Sequence, residues 1–437
     1  MPMNRSDIIA KQQEFLFPSV ATFYKDPLPL ARGEGQYVWD VDGKRYMDFF
    51  AGIVTVGVGH CHPKVTARIT EQVKTLQHTS TMFPHESTVR LAEKMASITP
   101  GQLKQTYFTN SGSEANETAV LLARLHTGRN EIIALRHGYS GRSLTAMSLT
   151  AHANWRLNPV TDPSIVHAHN AYCYRCAFEK TYPDCKLLCA RDIEELITTA
   201  TSGKIAAFIA EPIQGVGGFV TPPVEYFQEI AKIVREHGGL IISDEVQTGF
   251  GRTGKHWFGI EHWGIEPDII TCAKAMANGT PVGATVTTTE IAAAITGSQI
   301  STFGGNPVTA TAALATIEVI EEEGLLENSA TLGREFADGL EHLKASHKIV
   351  GDVRGMGLML AIELVHDKES KQPAPTAMNA LLEATRENGL LIGKGGLYGN
   401  SVRLSPPLNI TKANVDEAID ILDKSLSHVE QTEMGNS

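Results

Sequence analysis

The chain has no concentrated positive charge. Its 38 lysines and arginines are outnumbered by 49 aspartates and glutamates, the net charge is −11, and no Lys/Arg-rich run occurs. It therefore lacks the electrostatic footprint of a protein that binds nucleic acid or an anionic membrane. No apolar run approaches the ~20 residues that a bilayer-spanning helix needs. The opening MPMNRSDIIAKQQEF has no apolar h-region, so no secretory signal is expected and the cytoplasm is the expected location. The glycine fingerprint of dinucleotide sites is incomplete. Gly57-x-Gly59 lacks a third glycine and a strand–loop–helix frame, which disfavours a nicotinamide dehydrogenase. No internal repeat and no low-complexity tract is present.

Cysteine is scarce, with six in 437 residues, and the thiols are expected to be reduced. Four of them, Cys173, Cys176, Cys185 and Cys189, lie in CYRCAFEKTYPDCKLLC as C-x2-C-x8-C-x3-C. That spacing could hold a structural zinc or could be a loop of packed thiols, and its second half matches the usual zinc pattern loosely. His60 and His62, spaced i, i+2, read as loop residues rather than metal ligands.

The remainder has ordinary globular composition and a length typical of two domains. The most informative stretch is Leu240 to Gly279. Two apolar runs of strand length end beside chemistry-bearing residues: Leu240–Ser243 before Asp244, and Asp268–Cys272 before Lys274. In open α/β sheets ligands sit beyond the carboxyl ends of the strands, so an acid and an amine are expected at one rim. Flanked by Ala273 and Ala275, Lys274 can lose water, lower its pKa and become a Schiff-base nucleophile. An acid at the neighbouring strand end can hold the protonated ring nitrogen of pyridoxal phosphate.

Upstream, QTYFTN (105–110) reads as a strand and SGSEANETAVLLARLHTG as the helix after it. Ser111 with Glu114 fits a capping box, and Ser111-Gly112-Ser113 offers hydroxyls and free amides at a helix N-terminus: a phosphate site or an ordinary cap. Tyr139 stands just past the next strand, where a ring can stack on a flat cofactor. KIAAFIAE is a buried strand ending at Glu211. Strands alternating with helices predict a parallel, doubly wound sheet.

SDEVQTGFGRTG followed by AKAMANG resembles the class III aminotransferases, pyridoxal phosphate enzymes of fold type I, and the resemblance runs from about Trp39 to Pro407. It implies a large, mostly parallel α/β domain (55–324), a smaller α+β C-terminal domain (325–437), and an N-terminal arm and hairpin (1–54) joining the latter. It implies that Lys274 carries the cofactor, that Asp244 pairs with the pyridinium, and that Val246 packs on the ring face opposite Tyr139. Gln247 is then the donor to the ring oxygen, and Glu211 belongs to the same shell. Ser111, Gly112 and Ser113 hold the phosphate together with Thr302 of the partner subunit, which makes the protein an obligate homodimer and allows a tetramer. Ile53, Arg142 and Arg403 fall on the substrate side, with the two arginines as carboxylate ligands. The family usually reads aromatic-His-Gly-Arg-Thr where this chain has Tyr139-Ser140-Gly141-Arg142-Ser143, so the local pocket differs. The implied reaction moves an amino group from alanine, or from an ω-amino acid of the 4-aminobutyrate or β-alanine type. The acceptor is a 2-oxo acid such as 2-oxoglutarate, pyruvate or glyoxylate. The same scaffold carries lyases (a phospho-lyase among them), decarboxylases and racemases, which stand as alternatives.

Overall fold

The computed structural model describes residues 3–157 and 161–433. After an N-terminal helix, Arg5–Phe15, three short strands form an antiparallel meander: β1 (Leu30–Glu34), β2 (Tyr37–Asp40) and β3 (Arg45–Asp48). Asp42 and Gly43 lie in the β2–β3 turn, where Gly43 takes a φ of 88° that a Cβ would oppose. The expected hairpin is thus one half of a larger unit.

Seven strands build the central sheet: β4 (Gln105–Thr109), β5 (Ile132–Leu135), β6 (Ile165–Ala168), β7 (Ala207–Ala210), β8 (Leu240–Asp244), β9 (Ile269–Cys272) and β10 (Gly283–Thr287). Their order is β4-β10-β9-β8-β7-β5-β6. The pairs β5–β6, β5–β7, β7–β8 and β8–β9 are parallel, and only β10 runs antiparallel to its two neighbours. Segments such as IIAL, AFIA and IITC are buried at every position, as strands covered on both faces must be. Helices such as Gly112–Thr127 and Tyr226–Glu236 cover the sheet. Pro307–Glu322, rich in Ala and Thr, packs on Pro63–Thr75 and Glu86–Ile98, where its small side chains permit close approach.

The C-terminal part holds β11 (Val350–Met356), β12 (Met359–Leu364), β13 (Leu390–Leu391), β14 (Gly393–Gly395) and β15 (Ser401–Leu404). Four of these form an antiparallel sheet in the order β11-β12-β15-β14. The fifth, β13, pairs in parallel with β3, so the N-terminal meander is completed by a C-terminal strand. Among the described residues no helix is long and apolar enough to cross a membrane.

The four clustered cysteines line one small cavity of about 20 Å³. All six cysteines are free thiols, and among the described residues no group of three or more ligating side chains is placed to hold a metal. His60 pairs with Asp48 at 2.9 Å, and His62 with Glu323 at 2.9 Å.

Candidate active site

Strand direction brings the site together. β4, β5, β7, β8 and β9 all end at one rim of the sheet, and the residues after them line a cavity of about 300 Å³. Nine of the expected residues face it: Ser111, Gly112, Ser113, Tyr139, Glu211, Asp244, Val246, Gln247 and Lys274.

Register places Asp244 opposite Thr271 on β9, three residues before Lys274. Lys274 itself has a φ of 48° inside a 3-10 turn, Lys274–Ala277, a left-handed conformation that costs a non-glycine residue about 1–2 kcal/mol. Burial pushes its ammonium down to about 8, partly offset by the Asp244 and Glu211 carboxylates. Burial raises Asp244, opposed by hydrogen bonds from Asn116 Nδ2 (2.8 Å) and the Val246 amide (3.1 Å). Glu211 is pushed up to about 8, first by burial and then by the charge of Asp244. Its oxygens accept from the amides of Tyr139 (3.1 Å) and Gly215 (2.8 Å).

The helix at Gly112 begins as its sequence dictates, with a variation. Ser111 Oγ accepts from the Glu114 amide at 3.3 Å, but the Glu114 carboxylate reaches the amide and side chain of Asn110 rather than Ser111. The amides of Gly112 and Ser113 precede the first intrahelical bond, Ala115 N–H to the Ser111 carbonyl, and so remain for an anion. A Cβ on Gly112 would stand 2.9 Å from Val246, and one on Gly141 would stand 2.2 Å from Ser113 Oγ, so both glycines permit a close backbone approach.

The other four expected residues lie elsewhere. Arg403 is buried, with Nε donating to the Lys394 carbonyl (3.1 Å) and a long 3.4 Å contact to the Gly215 carbonyl. Burial lowers it to about 10, against the charge of Glu211. Glu211 and Arg403 meet through Gly215, whose N–H faces one and whose carbonyl faces the other. Arg142 is exposed, and its amide donates to Ser113 Oγ at 3.2 Å. Thr302 is exposed. Ile53 is 48% exposed, in a left-handed turn that sends Thr55 to the cavity.

A buried asparagine beside the site escaped the sequence reading. Asn116, 1% exposed, ties Asp244 to the Ser140 carbonyl (3.0 Å) and accepts from Thr271 Oγ1 (2.8 Å), joining three strand ends. Its only signal was helical spacing, four residues after Gly112.

With the acid, amine and helix N-terminus in place, comparison with known proteins settles the family. The class-III aminotransferase family model matches residues 21–426. The chain belongs to that family. It is 45% identical over 421 residues to the alanine–glyoxylate aminotransferase 2 homolog 2, mitochondrial, of Arabidopsis thaliana, covering 96% of this chain and 87% of the relative. It is 36% identical over 440 residues to the leucine/methionine racemase of Thermococcus litoralis, covering 99% and 98%. Among solved structures, a thermostable (S)-enantioselective omega-transaminase from Thermomicrobium roseum superposes with a TM-score of 0.91 at 35% identity, covering 98% of this chain and 100% of that one. This class-III enzyme is a pyridoxal phosphate-dependent aminotransferase of fold type I.

The residues present suit that cofactor. Gln247 lines the cavity, and its buried side-chain Oε1 has no hydrogen-bond partner among the described residues. A buried polar atom of this kind costs about 1–3 kcal/mol unless a ligand satisfies it.

Proposed function

We propose that this aminotransferase takes the amino group of alanine, or of an ω-amino acid such as β-alanine or 4-aminobutyrate, and gives it to a short 2-oxo acid, with glyoxylate and pyruvate first. The observation that carries the reading is one cavity in which Lys274, Asp244 and Glu211 share a buried rim, beside a buried Arg403 with no carboxylate in ion-pair contact among the described residues. The exposure of Arg142 favours monocarboxylate acceptors over the diacid 2-oxoglutarate, for which a second buried cation is needed.

Bound pyridoxal phosphate supplies an electron sink for the pair left on the substrate carbon. Ser111, Gly112 and Ser113 hold its phosphate, with Thr302 of the partner subunit. Tyr139 and Val246 flank the ring, and Gln247 donates to the ring oxygen. Asp244 keeps the proton on the ring nitrogen because Asn116 and the Val246 amide orient its carboxylate. Lys274 removes and returns the proton at the substrate carbon, a task suited to an amine that is partly neutral near pH 8. Arg403 takes the carboxylate next to that carbon by a two-pronged contact. Ile53 borders the donor side chain.

Exposed Ile300 and Phe303 beside Thr302, with Leu76, Met82 and Phe83, support a homodimeric surface. The pairing of β3 with β13 supports attaching residues 1–54 to a small C-terminal unit from 325 onward. The cytoplasm is the proposed location; the Arabidopsis relative is named mitochondrial.

The racemase relative favours a second reading, inversion of one amino acid without an acceptor. A donor-by-acceptor screen with chiral analysis separates the two. Transfer predicts a new amino acid only when a 2-oxo acid is present, whereas enantiomer formation from a single amino acid alone would replace transfer by racemisation.

A further inference from the structure

On the face of the C-terminal sheet turned to the site, two arginines stand side by side with one strand between them. Arg354 on β11 pairs with Ala361 on β12, and Ala361 pairs with Arg403 on β15. Glu363, two residues on from Ala361, and Ser401, its register partner, lie on the same face. Over this face runs the Gly215–Gly218 loop, which follows Glu211. Arg354 Nε donates to the Gly218 carbonyl at 2.8 Å, whereas the contact of Arg403 with the Gly215 carbonyl is 3.4 Å. One guanidinium therefore fastens the loop, and the other only rests on it.

Their charge states differ in the same sense. Arg354 is neutralised by Glu363 (2.7 Å) and Asp352 (2.9 Å). Glu363 is fully buried and also accepts from Tyr172 Oη and Arg175 Nε of the cysteine-rich segment. Arg354 further donates to Ser401 Oγ at 3.2 Å and lies 5.0 Å over the Tyr172 ring. The loop has little freedom to move: a Cβ on Gly218 would stand 2.6 Å from Ser401 Oγ, and one on Gly215 would stand 2.3 Å from Gln247.

We propose that Arg354 and Glu363, locked by Tyr172 and Arg175, form a positioning clamp that fixes the Gly215–Gly218 loop and so sets Arg403 for the substrate carboxylate. The proposal rests on the reading of Arg403 as the carboxylate ligand. Arg354 spends its charge on Glu363 and its directed hydrogen bond on the loop, which leaves Arg403, among the described residues, as the guanidinium on this face with no carboxylate in ion-pair contact. The cysteine-rich segment thereby acquires a role through Tyr172 and Arg175 rather than through its thiols.

The test compares wild type with Tyr172→Phe, Arg354→Lys and Arg403→Gln as cofactor-loaded enzymes. It reads KM for pyruvate or glyoxylate, whichever the wild type turns over faster, kcat per bound cofactor, and the thermal unfolding midpoint. Loss of the single hydroxyl in Tyr172→Phe raises acceptor KM about three- to tenfold, and Arg354→Lys raises it about ten- to a hundredfold, as expected for buried hydrogen bonds to charged groups. In both, kcat stays within about twofold, since chemistry at Lys274 is untouched. A merely structural clamp lowers the unfolding midpoint and the folded yield but leaves acceptor KM within twofold, and that result overturns the proposal. Tyr172→Phe keeps the test decisive should Arg354→Lys not fold. An unchanged KM in Arg403→Gln instead overturns the assignment of Arg403 itself; a raised KM there with unchanged KM in the other two overturns the clamp alone.

Discussion

At the scale of single residues, the site is a balance between burial and charge. Lys274, Asp244 and Glu211 are all withdrawn from water, and burial works against ionisation of each. Burial, only partly offset by the two carboxylates, leaves Lys274 near 8, whereas an exposed lysine stays near 10.5. Only the neutral amine attacks a carbonyl. Borohydride fixation of pyridoxal phosphate on cofactor-free protein should therefore label Lys274 with an extent that rises with pH through a midpoint near 8. Labelling centred near 10.5, or on another lysine, would contradict the assignment. Asn116 is a positioning residue for Asp244. Asn116→Ala removes one of its two donors, and kcat/KM should fall by about 1.5–3 kcal/mol, or roughly ten- to a hundredfold. The absorbance of bound cofactor should also titrate at shifted pH, which separates this role from simple loss of packing. Lys274 and Asp244 were legible because each closes an apolar run of strand length. Asn116 was not, since a polar residue in the second turn of a helix looks the same whether it faces water or a buried acid. Glu245 was missed for the same reason. It is completely buried, held by Ser243, Thr248 and the amides of Gly259 and Ile260, yet it reads as one more charge beside Asp244.

Among elements, short irregular pieces do more for the site than the long helices. Ala51–Val54 is a left-handed turn with φ values of 49°, 60°, 67° and 59°, three of them at residues with a Cβ. Asp48 steadies its start by accepting from the amides of Phe50 (3.0 Å) and Ala51 (2.8 Å). Strain of this kind persists only where surrounding contacts fix it. Nothing in FAGIVTVG announces it, because a left-handed run is not a pattern of side chains. The helix at Gly112 was legible from its cap, and its neighbour on β10 shows how closely it is seated. A Cβ on Gly283 would stand 2.4 Å from the Ser111 carbonyl oxygen, which is backbone and cannot turn aside. Gly283→Ala should lower stability by about 1–3 kcal/mol and weaken cofactor retention, measured by thermal unfolding and by equilibrium dialysis of pyridoxal phosphate. Full retention with unchanged stability would show that the helix start is free to move.

For the whole molecule, the mostly parallel sheet was readable from the alternation of apolar runs and helical patterns. The pairing of β3 with β13 was not readable, because pairing across so long a separation leaves no local mark. The proposed dimer rests on the family resemblance, and Thr302 stands exposed, outside the lining of its own cavity. Mixing Thr302→Ala with Lys274→Ala should restore part of the activity through hybrid dimers, if each cofactor is held by both subunits. A fully active monomer in dilute solution would rule that arrangement out. The central claim is that this chain moves nitrogen between two carbon skeletons through Lys274. The most direct measurement follows 15N from labelled alanine in the presence of glyoxylate, in wild type and in Lys274→Ala. The account predicts 15N-glycine and unlabelled pyruvate in equal amounts from the wild type, and neither from the variant. Nitrogen that stays on alanine while its configuration inverts, or 15N-glycine formed without Lys274, would contradict it.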